Sequence, residues 1–499
     1  MSLIQVNQLT FQYENHYDMI FDHVSFRFDT NFKTALIGRN ARGKTTFLKL
    51  LMGEYEYQGE IIKSEECEYF PYEIKNKDLL TLDICLEIAP EIQSWQLERE
   101  LHYLDLEGQD LFYRPFSTLS MGEQTKVLLA VLFLKRNSFL LIDEPTNHLD
   151  TFSREVVAKY LKRKKGFLLV SHDRHFIDMC CDHIIAINMT TIEVVNGTFS
   201  SWYDNKMKKD EHEEMKNARL KKDISRLETS RQKTASWSQR VENSKVAHGK
   251  REAGVKADRG YVGHKAAKMM KRSKNIEKRQ IQQVEEKKKL LKDVEEYDDL
   301  KITPLTYFQT NLVSFLHVSL YYQEKILFKD LTFSIQNKER ILLKGKNGCG
   351  KSSVIRALLN QSIGIKGEIN RGSRLKISYV PQDCSMLLGS FLSFVESYDV
   401  DTTLVMTILR KLGFSRSHFE KNLEDLSEGQ KKKVMLAISL ATSAHLYIWD
   451  EPLNYIDIYS RMQIEKMVLE YQPTLLFVEH DYFFQEKIAT KVIDFDELI

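Results

Sequence analysis

The chain has 499 residues, 42% of them hydrophobic, with 72 Lys and Arg against 70 Asp and Glu and a formal net charge of +2. That length accommodates about three units of ordinary domain size with cores to fill. The amino-terminal stretch MSLIQVNQLTFQYEN has no basic region leading into an apolar one, and no window approaches the roughly 18 apolar residues a membrane helix needs, so the expectation is a soluble cytoplasmic chain, neither secreted nor membrane-spanning.

In chain order, the first motif is GRNARGKTT at 38–46, which follows the apolar run TALI and leads into a helix-like stretch. It has the form GxxxxGK[ST], in which backbone N–H groups and the positive end of a helix cradle phosphates. Gly38, Asn40, Gly43, Lys44, Thr45 and Thr46 make this loop, with Lys44 reaching the β- and γ-phosphates and Thr45 a ligand for Mg²⁺. Further on, FLLID reads as a buried strand of a parallel sheet that delivers Asp143 at its carboxyl end, where α/β sheets place ligands. Asp143 is then a second Mg²⁺ holder, and Glu144 stands where it orients or deprotonates an attacking water. A carboxylate after a strand also serves as a helix N-terminal charge partner; the neighbouring Asp and the duplication described below favour the catalytic role. The six cysteines form no CxxC pair, which predicts buried thiols and neither disulfides nor zinc.

The middle of the chain differs in composition. Residues 204–300 hold 27 Lys and Arg against 18 Asp and Glu, a net of +9, which leaves −7 for the rest. From about 205 to 238 there is no proline or glycine, and Leu220, Ile224 and Leu227 follow the i, i+4, i+7 spacing of a helical seam. Residues 264–298 repeat the style with Ile276, Val284 and Leu291, so two long helices in an antiparallel hairpin are expected. Some 34 helical residues project about 50 Å. Between the arms lies SKVAHGKREAGVKADRG at 244–260, part of a stretch, 231–280, with 15 basic and 4 acidic residues. A charged hairpin is often no more than a solvated spacer. The concentration of positive charge against an acidic remainder instead points this segment at a polyanion, with Lys and Arg for phosphates and Tyr261 for stacking on an unpaired base. Arg240, Lys245, Lys250, Arg251, Lys256, Arg259 and Lys265 are the candidate contacts beside it.

The second half then repeats the first. GKNGCGKSS at 345–353 pairs with 38–46 at an offset of 307 residues, which also carries Ser120 onto Ser427 and Asp143 onto Asp450; an offset of 308 carries His172 onto His480. Gly345, Asn347, Gly348, Gly350, Lys351, Ser352 and Ser353 make the second loop, Ser352 and Asp450 are its Mg²⁺ ligands, and Glu451 is the counterpart of Glu144. The two loops differ at Ala41 and Gly348, and alanine tolerates a positive φ badly.

LSMGEQ and LSEGQ resemble the signature sequence of ATP-binding-cassette (ABC) ATPases, NHLD and NYID resemble their D-loops, and His172 and His480 their switch histidines. The resemblance covers residues 3–203 and 313–499 and implies an α/β fold: two ABC-type nucleotide-binding domains, at 1–203 and 313–499, joined by the helical hairpin linker at 204–312 with its basic tip at about 239–263. It also implies an ATPase with two composite Mg²⁺–ATP sites between cassettes paired head to tail within one monomer. Ser427 and Gly429 then complete the site built on Lys44, and Ser120 and Gly122 the site built on Lys351; Tyr13 and Tyr322 stack on adenine. The Q-loop glutamine that joins the Mg²⁺ ligands is Gln382 in YVPQD, whereas YFPYE carries Tyr72 at that place, which predicts unequal hydrolysis at the two sites.

Tandem cassettes without a membrane domain resemble the ABC-F subfamily, and the extended linker resembles its antibiotic-resistance members of the Lsa type. That implies ribosome protection: entry at the E-site, contacts with large-subunit rRNA and P-site tRNA, relief of lincosamide, streptogramin A and pleuromutilin block, and release on ATP hydrolysis. Tyr72 to Ser120 leaves no room for the arm insertion of housekeeping relatives, and the end of the chain at Ile499 leaves none for a carboxyl-terminal extension. The alternatives are an ATPase subunit of a drug-export transporter, which needs membrane partners but no basic hairpin, and a DNA-maintenance ATPase, whose coiled coils are longer or zinc-tipped. The expectation is no membrane and no DNA partner.

Overall fold

The computed structural model describes residues 2–13, 19–40, 42–135, 138–147, 149–188, 192–246, 299–322, 325–361 and 363–496, with single helical positions at 268, 271, 275, 276, 278 and 279. The chain divides into two compact units, one made of residues 1–202 and 297–499 and the other of residues 203–296.

Apolar runs rich in branched and aromatic residues form strands here because the sheet they enter is covered on both faces. In the first cassette Glu66–Phe70, Ser138–Asp143, Phe167–Val170, Lys33–Gly38, His183–Ile187 and Ile192–Asn196 lie side by side, parallel except for the last. In the second, Ile377–Val380, Leu446–Asp450, Leu475–Val478, Arg340–Lys344 and Lys491–Asp494 are parallel throughout. Each cassette adds an antiparallel sheet, ordered Phe21–Asp29, Leu3–Phe11, Gln58–Ile62 in one and Lys325–Gln336, Asn311–Tyr322, Gly364–Arg371 in the other.

LYIWD shows how one strand serves two cores. Ile448 packs with Phe315, Ile341 and Leu476 between the sheets, while Tyr447 and Trp449 point to the opposite face, among Leu436 and Leu440 of the helix Glu428–Ala441. Side chains alternate across a strand with period two, so five consecutive buried residues feed both layers. Trp449 is fully buried, and its removal would cost about 3–5 kcal/mol. The strand that ends in Asp143 and the one that ends at Gly38 are separated only by Phe167–Val170, so the Gly-rich loop and the carboxylates gather at the carboxyl edge of one sheet.

The second unit holds most of one helix, Phe199–Val246, of 48 residues. It exceeds the stretch expected from sequence at both ends and spans about 72 Å. Of the seam, Ile224 is buried and Leu220 and Leu227 are half-buried, while the intervening charged residues are exposed. Arg240 and Lys245 belong to this helix. Lys250, Arg251, Lys256, Arg259, Tyr261 and Lys265 lie outside the described residues, as does most of the expected second arm. Among the described residues no helix is long and apolar enough to cross a membrane.

Candidate functional site

Both Gly-rich loops end on a glycine in the left-handed region, Gly43 (φ 86) and Gly350 (φ 103), which open the helices Lys44–Met52 and Lys351–Leu358. A Cβ on Gly43 would stand 2.4 Å from Ile20 Cγ2, so the loop needs glycine there on two counts. The lysines fold back on their own loops: Lys44 Nζ donates to the carbonyls of Gly38 (2.8 Å) and Arg39 (3.1 Å), and Lys351 Nζ to those of Gly345 (2.7 Å) and Lys346 (2.8 Å). Gly348 takes φ 80; its counterpart Ala41 lies outside the described residues.

The expected hydroxyl–carboxylate pairs form in both cassettes. Thr45 Oγ1 donates to Asp143 Oδ2 at 2.8 Å, and the Ser352 hydroxyl bonds Asp450. Burial raises the Asp450 carboxyl to about 6 against the pull of Ser352, and its Oδ1 has no partner among the described residues. A buried carboxylate oxygen without a partner beside a hydroxyl suits a hard, oxygen-seeking cation, so the donor set fits Mg²⁺.

Glu144 and Glu451 both hold a left-handed backbone, φ 48 and φ 49, a conformation that costs a non-glycine residue about 1–3 kcal/mol and concentrates at functional sites. Their surroundings differ. Burial, reinforced by the adjacent Asp143, raises Glu144 to about 8; its Oε1 makes no hydrogen bond among the described residues, with His172 Nε2 at 3.4 Å. His172, buried and facing Lys44, is held well below the ordinary histidine range. Burial also pushes Glu451 up, but His480 at 3.7 Å, Gln382 and Lys432 outweigh it and leave the carboxyl at about 2. Asn454 Nδ2 donates to Glu451 Oε2 at 2.6 Å.

The Q-loops account for part of this difference. Gln382 reaches Glu451, and Lys432 pins its loop by donating to the carbonyls of Pro381 (2.7 Å), Gln382 (3.0 Å) and Asp450 (3.2 Å). Tyr72 instead turns its hydroxyl toward Glu68, with Lys135 Nζ 5.2 Å above its ring. Tyr69, which sequence reasoning missed, donates to Asp143 Oδ2 at 3.1 Å. Its recurrence as Tyr379 three residues before Gln382 was the available signal. Tyr69, Tyr72, Thr45, Asp143 and Glu144 border one cavity of about 620 Å³, of the size ligand pockets have.

Ser120 and Ser427 cap the helices Met121–Leu134 and Glu428–Ala441, accepting from the amides of Glu123 and Gln430 at 3.3 Å each, while those side chains bond back. Each hydroxyl thus uses a lone pair for the cap and keeps its proton to donate. Gly429 lies against its own D-loop: a Cβ would stand 2.6 Å from the Tyr455 carbonyl. That carbonyl accepts from Asn40 Nδ2 of the other cassette at 3.1 Å. Reciprocally, Asp150 Oδ2 of the first D-loop accepts from the Asn347 amide at 3.2 Å. Each Gly-rich loop therefore touches the opposite D-loop. Tyr13 shares a hydrogen bond with Thr46 Oγ1 (2.9 Å) and packs edge-on to Phe11 and Tyr55, while Tyr322 ends the strand Asn311–Tyr322.

Comparison with known proteins agrees with this geometry. The family model described as "ABC transporter" matches residues 21–147 and again 328–454, half of the chain. The ribosome protection protein VmlR of Bacillus subtilis is 28% identical over 485 residues, covering 95% of this chain and 84% of that one. ABC transporter F family member 5 of Arabidopsis thaliana is 24% identical over 524 residues, covering 93% and 71%. Among solved structures, the archaeal ribosome recycling factor aABCE1, in complex with a ribosomal stalk protein, superposes with a TM-score of 0.65 at 18% identity, over 98% of this chain and 87% of that one.

Proposed function

The chain belongs to the ABC transporter family, whose ATPase domain it carries twice, and from that premise we propose that it is an ABC-F ATPase that protects the ribosome from antibiotics bound at the peptidyl-transferase centre. The observation that carries this reading is the joint between the cassettes: a 48-residue helix in a segment with net charge +9, in a chain whose described helices include none able to cross a membrane. A structured polyanion is the target that such a segment suits. The likeness to VmlR and to an F family member supports the same choice, and both cover more than nine-tenths of the chain.

The chemistry follows from the chain's own residues. ATP lies against one Gly-rich loop, Lys44 or Lys351 meets its terminal phosphates, and the hydroxyl of Ser427 or Ser120 from the other cassette donates to the γ-phosphate. Thr45 and Asp143, or Ser352, Gln382 and Asp450, would hold Mg²⁺, which would supply charge neutralisation on the phosphates. Glu451, ionised and fixed by Asn454 and Gln382, accepts a proton from the attacking water, and His480 orients the γ-phosphate; Glu144 and His172 stand at the same places in the first site, where Glu144, raised to about 8, serves as a base only in its minor ionised fraction. Hydrolysis removes the bridge between loop and signature, the cassettes part, and the protein leaves the E-site in the cytoplasm. The basic tip meets rRNA and P-site tRNA, and lincosamides, streptogramin A compounds and pleuromutilins are the drugs relieved. The Lsa-type linker likeness underlies that drug assignment.

Sedimentation with ribosomes tests the reading. A chain carrying Glu144→Gln and Glu451→Gln binds ATP without turning it over, so it should travel with ribosomes in ATP and leave them without nucleotide. A chain that ignores ribosomes in both conditions but enriches on membranes holding a drug exporter would replace this reading with the transport one.

A further inference from the structure

Each cassette touches the other's D-loop through its Gly-rich loop, but one buried ion pair between them has no counterpart at the matching positions. After each switch histidine an aspartate caps the next helix and receives an arginine of its own cassette: Arg154 Nη1 lies 2.9 Å from Asp173, and Arg461 Nη1 lies 2.9 Å from Asp481. One residue on, the copies diverge. Arg174 leaves its own cassette and grips Glu465 of the other with both Nη atoms, Nη1 to Oε2 at 3.3 Å and Nη2 to Oε1 closer still. Nη2 also lies 3.5 Å from Asp481 Oδ1, and the guanidinium covers the Phe483 ring at 5.1 Å. Both partners are only 4% exposed.

The offsets that align every other motif place Tyr482 at the position of Arg174 and Ala158 at the position of Glu465. The symmetry-related half of the interface therefore has neither charge, and Tyr482 stacks there on His175 with centroids 4.5 Å apart. We propose that this one-sided pair is a recognition device: the first cassette presents the cation, the second the anion, and each face accepts the unlike cassette as its partner. If two first cassettes met between chains, each Arg174 would be buried opposite Ala158, with the nearest carboxylates being Asp173, already paired with Arg154, and half-exposed Glu155, which borders the same small cavity as Tyr482. If two second cassettes met, each Glu465 would be buried opposite Tyr482, left with half-exposed Lys487, which stands 3.6 Å away. A buried charge stripped of its bidentate partner is costly, so the like pairings are disfavoured while the unlike one is satisfied. A chain with two similar cassettes otherwise has three ways to pair, and the linker alone cannot reject two of them at high protein concentration.

Charge reversal in the full chain tests this. Arg174→Glu and Glu465→Arg each place like charges in the buried contact, and each should lower ATPase activity by at least about tenfold. Equal mixing of the two variants restores opposite charges only between chains. The mixture should therefore form an ATP-dependent species of twice 58.5 kDa by light scattering, with activity recovered, while each variant alone does not. The chain bearing both reversals should recover activity as a monomer, in part only, since the introduced carboxylate would then face Asp481 and the introduced guanidinium would face Lys487. If either single variant unfolds, Arg174→Gln and Glu465→Gln replace them, because their mixture regains one native pair. Single variants with wild-type activity would overturn the proposal. So would a mixture that stays monomeric while the doubly reversed chain recovers, which would leave a stabilising contact with no part in partner choice.

Discussion

A single methyl group tests the coupling between the two nucleotide sites. Gly429 has no room for a Cβ against the Tyr455 carbonyl, and that carbonyl holds Asn40 of the opposite loop. Gly429→Ala should push the D-loop away and break the contact, lowering ATPase activity at least about tenfold while costing about 1–3 kcal/mol of stability; the drop in activity at unchanged nucleotide affinity is the measurement. Tyr72 gives the second prediction at this scale. It offers no amide to Glu144, whereas Gln382 and Asn454 hold Glu451, so the second site should carry most of the turnover. Glu451→Gln should then abolish hydrolysis to a larger extent than Glu144→Gln, and Tyr72→Gln should narrow the gap. Single-turnover rates of the three chains decide it, and equal losses from both glutamates would refute the assignment.

At the scale of elements, one buried carboxylate ties together two helices of the first cassette. Glu100, in the helix Ser94–Tyr103, accepts from Tyr160 Oη at 2.8 Å and pairs with Lys164, joining that helix to Thr151–Lys162, which carries the D-loop cap Asp150. Burial pushes its carboxyl up, but Lys164 and Tyr160 pull harder and leave it lowered. A lowered folded pKa gives stability that is present above the unfolded value of about 4.3 and lost as pH falls through the folded one. Glu100→Gln should therefore cost about 1–3 kcal/mol at neutral pH, and the difference from wild type should shrink below about pH 4. Denaturant titrations at several pH values read both effects, and a pH-independent difference would mean that packing, not charge, is what the substitution removes.

At the scale of the molecule, two functions are assigned to separate parts of the chain, which makes them separable by deletion. Removing residues 244–260 and rejoining the flanking residues by a short link leaves every loop, carboxylate and D-loop contact in place. ATPase activity should stay within about threefold of wild type, while protection of cells from drug is lost. Full protection by the shortened chain at normal expression would show that the basic segment is dispensable.

The sequence by itself determined the duplication and the candidate site residues. GxxxxGK[ST], the strand-borne Asp and Glu and the capped signature helices are local in sequence, and their spacing recurs at one offset, so Lys44, Thr45, Asp143 and Glu144 and their counterparts were legible without coordinates. The seam of Leu220, Ile224 and Leu227 was legible for the same reason, since periodicity is a property of neighbours along the chain. What only the tertiary structure decided depends on residues brought together across hundreds of positions. Arg174 and Glu465 are 291 residues apart, and Asn40 and Tyr455 are 415 apart. Neither pair has a local signature, because an arginine after a histidine-bearing strand or a glutamate inside a helix is, in sequence, an ordinary surface charge. Folding removes water from both and leaves each the other's necessary partner, and it is that desolvation, absent from any linear pattern, that turns two ordinary charges into an interface.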